Sequence, residues 1–463
     1  ERTRTMSRLF GPARAARTAR LAATSVTTPG RFAPKASYTA IPANAVLGDL
    51  VKLNTNGNNA CTVPDTTTFR VAAIGTKSIV LADTLNPANG FTDADYTRFA
   101  ARFDTLVYPL DVENFGAPSD LDKNQKVAIL FTRAVNKLTA PNSGSYIGGF
   151  FFGRDLFPKK DDAGKDLCPT SNEGEMFYLL VPDPTGVNGN KFRLGFVDSL
   201  TTGILAHEFQ HLINLGRRIY VNDAPVDEDT WLNEGLSHIT EELLYYRESG
   251  KAPRQRLTDD AIRVSSRATY PFWKADAASN FSRFSEYIFD PGSASPIDEA
   301  NDVLSTRGAS WAFLRYAVDR LFTSDAGVWA RFGNAKTAGL VTLRDALRTE
   351  PAPLFSDFAL ANYLSDFPGI TPSARFVHQS WNFRDIYSNT FGRTVDGVFK
   401  PNGFYPLKVS GLSDNVAASV AVKGSSASYY RLGVAAGSEA LVTFSSGQGA
   451  PNTSFRFTVI RTK

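Results

Sequence analysis

The chain of 463 residues is 43% hydrophobic, 12% aromatic and 21% charged, the balance of a globular protein with ample material for a buried core and two to four domains. No apolar run reaches the length of a membrane-crossing helix; Met176-Phe177-Tyr178-Leu179-Leu180-Val181 is only strand-sized. The net charge of +4 is unevenly placed: seven arginines and Lys35 against Glu1 give residues 1–35 a charge of +7, leaving −3 for the remainder, so the folded part carries no nucleic-acid footprint.

Residues 1–37, with Arg14, Arg17 and Arg20 among Ala, Thr and Pro, lack the continuous apolar core of a secretory signal. They read as a flexible leader or propeptide remnant, with a basic tail for an acidic surface as the sharper alternative. The start at Glu1 rather than Met fits an upstream signal already removed. Residues 38–90 read as a β-rich segment: Val51–Leu53, Phe69–Ile74 and Ser78–Ala82 are short apolar stretches between turn-forming dipeptides. Cys61 and Cys168 have no second cysteine or histidine at ligand spacing. A disulfide between them and two free thiols both stay open, and a bridge would fit an oxidising compartment.

Thr92-Asp93-Ala94-Asp95 has the form of a capping box, opening a helix with Tyr96, Phe99, Phe103 and Leu106 on one face. Asp120, Asp122 and Asn124 alternate like the oxygen donors of a calcium loop, although Gln125 stands where the turn would want Gly and no glutamate closes the loop. Val127–Thr132, Tyr146–Phe152 and Met176–Val181 are predicted strands.

The most informative stretch follows, Ala206-His207-Glu208-Phe209-Gln210-His211-Leu212-Ile213. On a helix, spacing by four puts His207 and His211 one turn apart on one face, so both imidazoles can meet one ion. Glu208 then lies where its carboxylate can reach a metal-bound water without being a ligand. Only four histidines exist in the chain, and His207, His211 and His238 fall within thirty-two residues of one another, with His378 apart. A helix over 199–215 is predicted, and Asp229 can cap a second over 229–246, with Leu232, Leu236, Ile239 and Leu243 as its buried stripe. Glu234, His238 and Glu241 share the other face. Residues 251–370 read as a helical lobe, most clearly at Asn301–Phe322, where Trp311, Leu314, Val318 and Leu321 repeat at helical spacing. Residues 401–463 change to short alternating runs such as Phe455, Phe457 and Val459, the texture of a β-sandwich-like module.

A third histidine at the metzincin position is excluded, because Asn214 and Arg217 occupy the places of that motif's glycine and histidine. A carboxylate from a second helix is the other standard route to a three-ligand catalytic site. Trp231-Leu232-Asn233-Glu234-Gly235-Leu236-Ser237 resembles the Asn-Glu ligand segment of glutamate-zincins. Ala206–Ile213 and Trp231–Leu243, with Gly90–Tyr96 and Ser145–Phe152 upstream, also resemble the hyicolysin family of neutral metallopeptidases over residues 70 to 330. That resemblance implies peptide-bond hydrolysis by one zinc, with ligands His207, His211 and Glu234 and with Glu208 as base. It implies a glutamate-zincin fold; together with the segment readings above, the expected architecture is α+β, a zincin domain over 91–390 with a mixed-sheet N-terminal lobe and a helical C-terminal lobe, flanked by small β modules. Thermolysin-like enzymes place an Asp four residues after the glutamate ligand to orient a zinc histidine; His238 stands there, and Glu241 is the alternative supplier of that carboxylate.

The expected substrate is a protein or peptide, the expected setting extracellular, with calcium as a possible second ion. The oxyanion donor is open among His378, Tyr245, Tyr246 and Tyr270, and His378 reads more readily as a structural residue. Three rivals remain: an aminopeptidase, an inhibited or inactive zinc-bearing binding module, and a ferritin-like di-iron protein. The last needs two Glu-x-x-His motifs, and only Glu208-Phe209-Gln210-His211 is present.

Overall fold

Six strands form the sheet on which the rest is built: β1 Leu50–Asn54, β2 Thr66–Ile74, β3 Ser78–Asp83, β4 Val127–Phe131, β5 Gly149–Phe151 and β6 Met176–Leu179, in the order β1-β2-β3-β4-β6-β5. The structure, a computed structural model, describes residues 41–462 apart from 43, 58–60, 144–145, 162, 265–266, 396–397, 414 and 446–453. The leader expected over 1–37 lies outside these residues. β1, β2 and β3 are antiparallel, β3, β4 and β6 run parallel, and β5 returns antiparallel to β6 at the edge. β4 and β6 are buried at every residue, which is why both read as unbroken apolar runs. Alternate side chains divide between two cores: Ile129, Phe131, Phe177 and Leu179 face the helices, while Ala128, Leu130, Met176 and Tyr178 face a smaller core with Phe69 and Phe150.

This topology corrects the expected modular layout. The 38–90 segment supplies three strands of the sheet, and β3 pairs with β4 in register from Ser78↔Val127 to Ala82↔Phe131. Its described part is therefore integral to the sheet rather than a flanking unit.

The capping box forms as read, with Thr92 and Asp95 exchanging side-chain-to-backbone bonds at the start of α1 Asp93–Arg102. Tyr96, Phe99 and Phe103 are buried on the sheet, and the chain passes through a wide helical turn at Phe103–Val107 into α2 Tyr108–Phe115. α3 Leu194–Gly216 starts five residues before its predicted onset, and α4 Thr230–Ser249 packs along it. Asp229 sits at the N-cap of α4 without a side-chain capping bond; Glu299 receives the Thr230 N–H instead.

α4 is also covered by α6 Leu304–Leu321, which in turn packs on α5 Ala278–Phe289. Covered from several sides, α4 buries its polar face together with its apolar stripe. Two glycines permit these approaches. A Cβ on Gly235 would stand 2.9 Å from Leu314 Cδ1 and 3.1 Å from Ser310 Cβ, and one on Gly308 would run into the backbone of Arg283 and Phe284. Helices continue past the expected limit at 370, to Phe383–Asn389. Among the described residues no helix is long and apolar enough to cross a membrane.

The C-terminal segment differs from expectation. Beyond the Gly392–Val395/Val398–Pro401 hairpin, the described residues contain two three-residue strands, Val409–Gly411 and Tyr429–Arg431, paired parallel, and no sandwich. Leu441 and Val459 are each 93% exposed, so the alternating apolar residues have no facing sheet to bury them. The part nearer the hairpin is fastened to the helical lobe: Lys423 N–H donates to Gly292 O, Tyr429 Oη–H to Ala359 O, and Ser426 meets Tyr287. Cys61 and Cys168, left open by the sequence, form a disulfide that ties the β1–β2 connection to the loop before β6.

Candidate metal centre

α3 and α4 bring His207, His211 and Glu234 together as a buried group able to hold a metal ion. Leu205, Phe209, Leu212 and Ile213, none of them exposed, hold α3 in the core, and Phe209 packs its ring 4.9 Å from Phe103 and 5.4 Å from Tyr108. His207 Nε2 and His211 Nε2 are 3.2 Å apart, and Glu234 oxygens lie 3.5 Å from the first and 3.7 Å from the second. Ligands of a tetrahedral zinc at about 2.0–2.1 Å are separated by about 3.3 Å, so these residues fit the ion in number, type and spacing. Among the described residues none donates a hydrogen bond to either buried Glu234 oxygen, the condition of a carboxylate whose proper partner is a cation.

Outer partners hold both imidazoles in place. His207 Nδ1 lies 2.8 Å from Glu241 Oε1, so it donates there and leaves Nε2 for an ion. The Ser237 hydroxyl donates to Gln210 Oε1 at 2.6 Å and stands 3.1 Å from His211 Nδ1 and 3.3 Å from its Nε2. His238 stands 3.2 Å from Glu241 Oε1 through its own Nδ1, and Arg283 Nη1 stands 3.4 Å from Glu241 Oε2. His207, His238 and Glu241 thus form a second cluster sharing His207 with the first. Of the two second-helix candidates, Glu241 is the one that touches a candidate ligand with a carboxylate, while His238 touches Glu241.

Charge follows burial and pairing. Burial alone would lower His207, but Glu234 and Glu241 beside it push it up to about 10. His211 and His238 are lowered to about 3, chiefly by burial. Burial works to raise Glu234, yet the Arg307 guanidinium and the two histidines hold it well below the usual carboxylate range. Burial pushes Glu208 up to about 7, against the opposing pull of His207, Arg307 and the Phe151 backbone N–H on edge strand β5. A carboxyl poised near neutrality can both take and return a proton.

The other predicted positions have partners of their own. His378 is buried in the helical lobe, 3.0 Å from Asn362 Oδ1 and ringed by Tyr316, Phe358 and Phe383, and burial lowers it to about 3. Its surroundings are those of a satisfied core histidine. Tyr245 and Tyr246 pack on Trp381, and Tyr270 stacks on Trp273. In the predicted calcium loop, Asp120 and Asp122 are joined by Glu175 as a group of neighbouring oxygens. Asn124 stands beside them: its Oδ1 accepts from Lys126 N–H and its Nδ2 donates to Asp122 Oδ2.

Sequence reasoning missed two residues. Glu175 precedes β6 and meets Asp122 because β4 and β6 pair in parallel, a non-local consequence with no motif. Arg307, on α6, places Nη1 2.8 Å from Glu234 Oε2 and gives Nε and Nη2 to the carboxylate of Asp302 at 2.6 and 2.5 Å. No spacing rule links it to the histidines.

A mixed α+β fold with a mixed sheet, bearing two histidines one helical turn apart and a glutamate from the neighbouring helix, is consistent with a metalloprotease domain. No family model matches the chain. Over 205 residues it is 27% identical to the neutral metalloprotease ShpI of Staphylococcus hyicus, an alignment covering 43% of this chain and 43% of that protein. The chain is thus a distant relative of a neutral metalloprotease, matched over less than half the length of either.

Proposed function

We propose that this protein is a zinc metallopeptidase that hydrolyses peptide bonds within proteins, as a secreted endopeptidase of glutamate-zincin type, with His207, His211 and Glu234 as the ligands and Glu208 as the catalytic base. The observation that carries the reading is the buried ligand set, spaced for one tetrahedral ion, with Glu208 beside it near neutral pKa. The disulfide adds support for an oxidising compartment. A bound zinc would supply Lewis acidity toward the peptide carbonyl and make water a better nucleophile.

The chain's own residues do the remaining work. Glu241 and Ser237 fix the two imidazoles. Glu208 takes the proton of the attacking water and delivers it to the leaving amine. Its position beside the Phe151 N–H puts it against edge strand β5, where an extended substrate would lie.

The test is a pair of variants assayed for zinc content and peptide hydrolysis. Glu234→Ala is expected to lose zinc and activity together. Glu208→Gln is expected to keep zinc and fold while turnover drops by at least about a hundredfold, since the amide cannot accept the proton. A Glu208→Gln protein as fast as the parent would remove Glu208 from the mechanism. A folded parent with one zinc that cleaves nothing in a broad peptide library would remove the peptidase reading.

A further inference from the structure

We propose that Arg307 is a catalytic residue of this site: its Nη1 edge meets the carbonyl oxygen of the scissile peptide as negative charge gathers there, while Asp302 grips the guanidinium from the other side. The inference rests on the metallopeptidase reading. It takes the oxyanion role that the sequence left open.

Three observations point to it. First, Arg307 is anchored rather than loose. Its Nε and Nη2 are both taken by the two oxygens of Asp302, a fork that fixes the plane of the guanidinium and leaves Nη1 as the forward edge. Second, that edge sits inside the site. Nη1 is 2.8 Å from Glu234 Oε2, and the charge of Arg307 acts on Glu208 and His211 as well. Third, the contact with Glu234 is a charge contact and not a directed hydrogen bond, since both Glu234 oxygens lack a hydrogen-bond donor. The N–H groups of Nη1 are thus not spent on Glu234, and among the described residues they have no bonded acceptor to give up.

Arg283, the other cation near the cluster, differs on each point. Its Nη1 is committed to Ser279 and Asn280 at 3.0 and 2.9 Å and faces Glu241, on the far side of His207.

The step balances without any further reagent. The water oxygen bonds to the carbonyl carbon, the C=O π pair moves onto oxygen, and the water proton passes to Glu208. On collapse the pair returns, the C–N bond breaks, and Glu208 gives its proton to the amine. Between these events the oxygen carries a full negative charge beside His207, Glu208 and Glu234, all of them buried. A fixed guanidinium there stabilises the transition state more than the neutral ground-state carbonyl.

The experiment uses the full chain carrying Arg307→Gln, Arg307→Lys or Asp302→Asn. Zinc content, kcat and KM on an internally quenched peptide, and affinity for a peptidyl phosphonate and for the corresponding product peptide are measured. Arg307→Gln is expected to keep one zinc, lose about a hundred- to a thousandfold in kcat with KM changed less than about threefold, and lose phosphonate affinity by a similar factor while product binding holds. Arg307→Lys should recover part of the loss, because an ammonium keeps the charge but not the fork. Asp302→Asn should fall in between, at about tenfold.

Wild-type kcat and phosphonate affinity in zinc-loaded variants would overturn the assignment. So would loss of zinc from both Arg307 variants, which would make the residue a brace for Glu234. If Arg307→Gln fails to fold by circular dichroism, the other two variants decide on the same criteria. A zinc-loaded parent inert toward every peptide would instead remove the peptidase reading, and this inference with it.

Discussion

Glu241 is the residue whose replacement tests most directly how the centre is held. Its Oε1 accepts from His207 Nδ1 at 2.8 Å, and both side chains are less than a tenth exposed, so the bond is charge-assisted and shielded from water. A hydrogen bond to a charged group contributes about 1.5–3 kcal/mol. That energy corresponds to about ten- to a hundredfold in affinity, the range found when the outer partner of a metal-binding histidine is removed. Glu241→Gln keeps the size of the side chain but brings an NH2 toward His207, His238 and Arg283, all of which present donors. We expect its zinc dissociation constant, measured by competition with a chromophoric chelator, to rise by that factor, with the melting point of the metal-free protein as the control for fold. Glu241→Ala should in addition lower that melting point, because it leaves the Arg283 charge without its carboxylate. An affinity for zinc within twofold of the parent in Glu241→Gln, with His207→Ala abolishing binding, would refute the reasoning.

Three further outcomes follow from the structure. Glu175 is 3% exposed and pushed up to about 7 by burial, with Asp122 adding to the shift, so the folded state holds a proton that the unfolded chain gives up near 4.5. Its contribution favours folding below about 4.5 and is lost as pH rises to about 7, a change of about 2–4 kcal/mol; in chelator-treated protein, Glu175→Gln should flatten the fall of urea midpoint across that window, and an unchanged profile would contradict this. Replacing Cys61 and Cys168 by Ser opens a link across 107 residues and should cost about 2–4 kcal/mol in denaturant titrations while leaving zinc stoichiometry intact. Ending the chain after Gly433 should leave the melting point near that of the parent, whereas ending it after Tyr405 strips Ser426 from Tyr287 and Lys423 from Asp298 and should lower it; equal melting points would show that these contacts contribute nothing.

What could be read in the sequence was what depends on residues close together in the chain. The spacing of His207, Glu208 and His211, the capping box at Thr92 and the apolar runs of β4 and β6 are each local patterns, and each formed the element expected. What could not be read depends on pairing between distant stretches. The 38–90 strands look like a small unit of their own until β3 is seen beside β4. Phe455, Phe457 and Val459 alternate as a strand should, but alternation records a willingness to pair and not the presence of a partner. The choice between His238 and Glu241 turned on which side chain reaches His207 across the helix pair, and Arg307 arrives from a third helix. The resemblance of Trp231–Ser237 to a ligand segment pointed to Glu234, but nothing in the segment announces the cation beside it.

The contact at Gly308 links two parts of the centre that have been described separately. Arg307 precedes that glycine on α6, and the backbone it touches on α5 belongs to Arg283 and Phe284. The guanidinium beside Glu234 and the guanidinium beside Glu241 therefore spring from opposite sides of one crossing where main chain rests on main chain. No side chain stands between the two backbones there to adjust its rotamer, and a Cβ at 308 would overlap Arg283 C and Phe284 N. Small displacements of the lobe should carry both cations as one rigid part, with their spacing preserved. A methyl group at 308 would act as a wedge, and its effect should register at both ends of the candidate ligand set at once, without altering any of the proposed ligands.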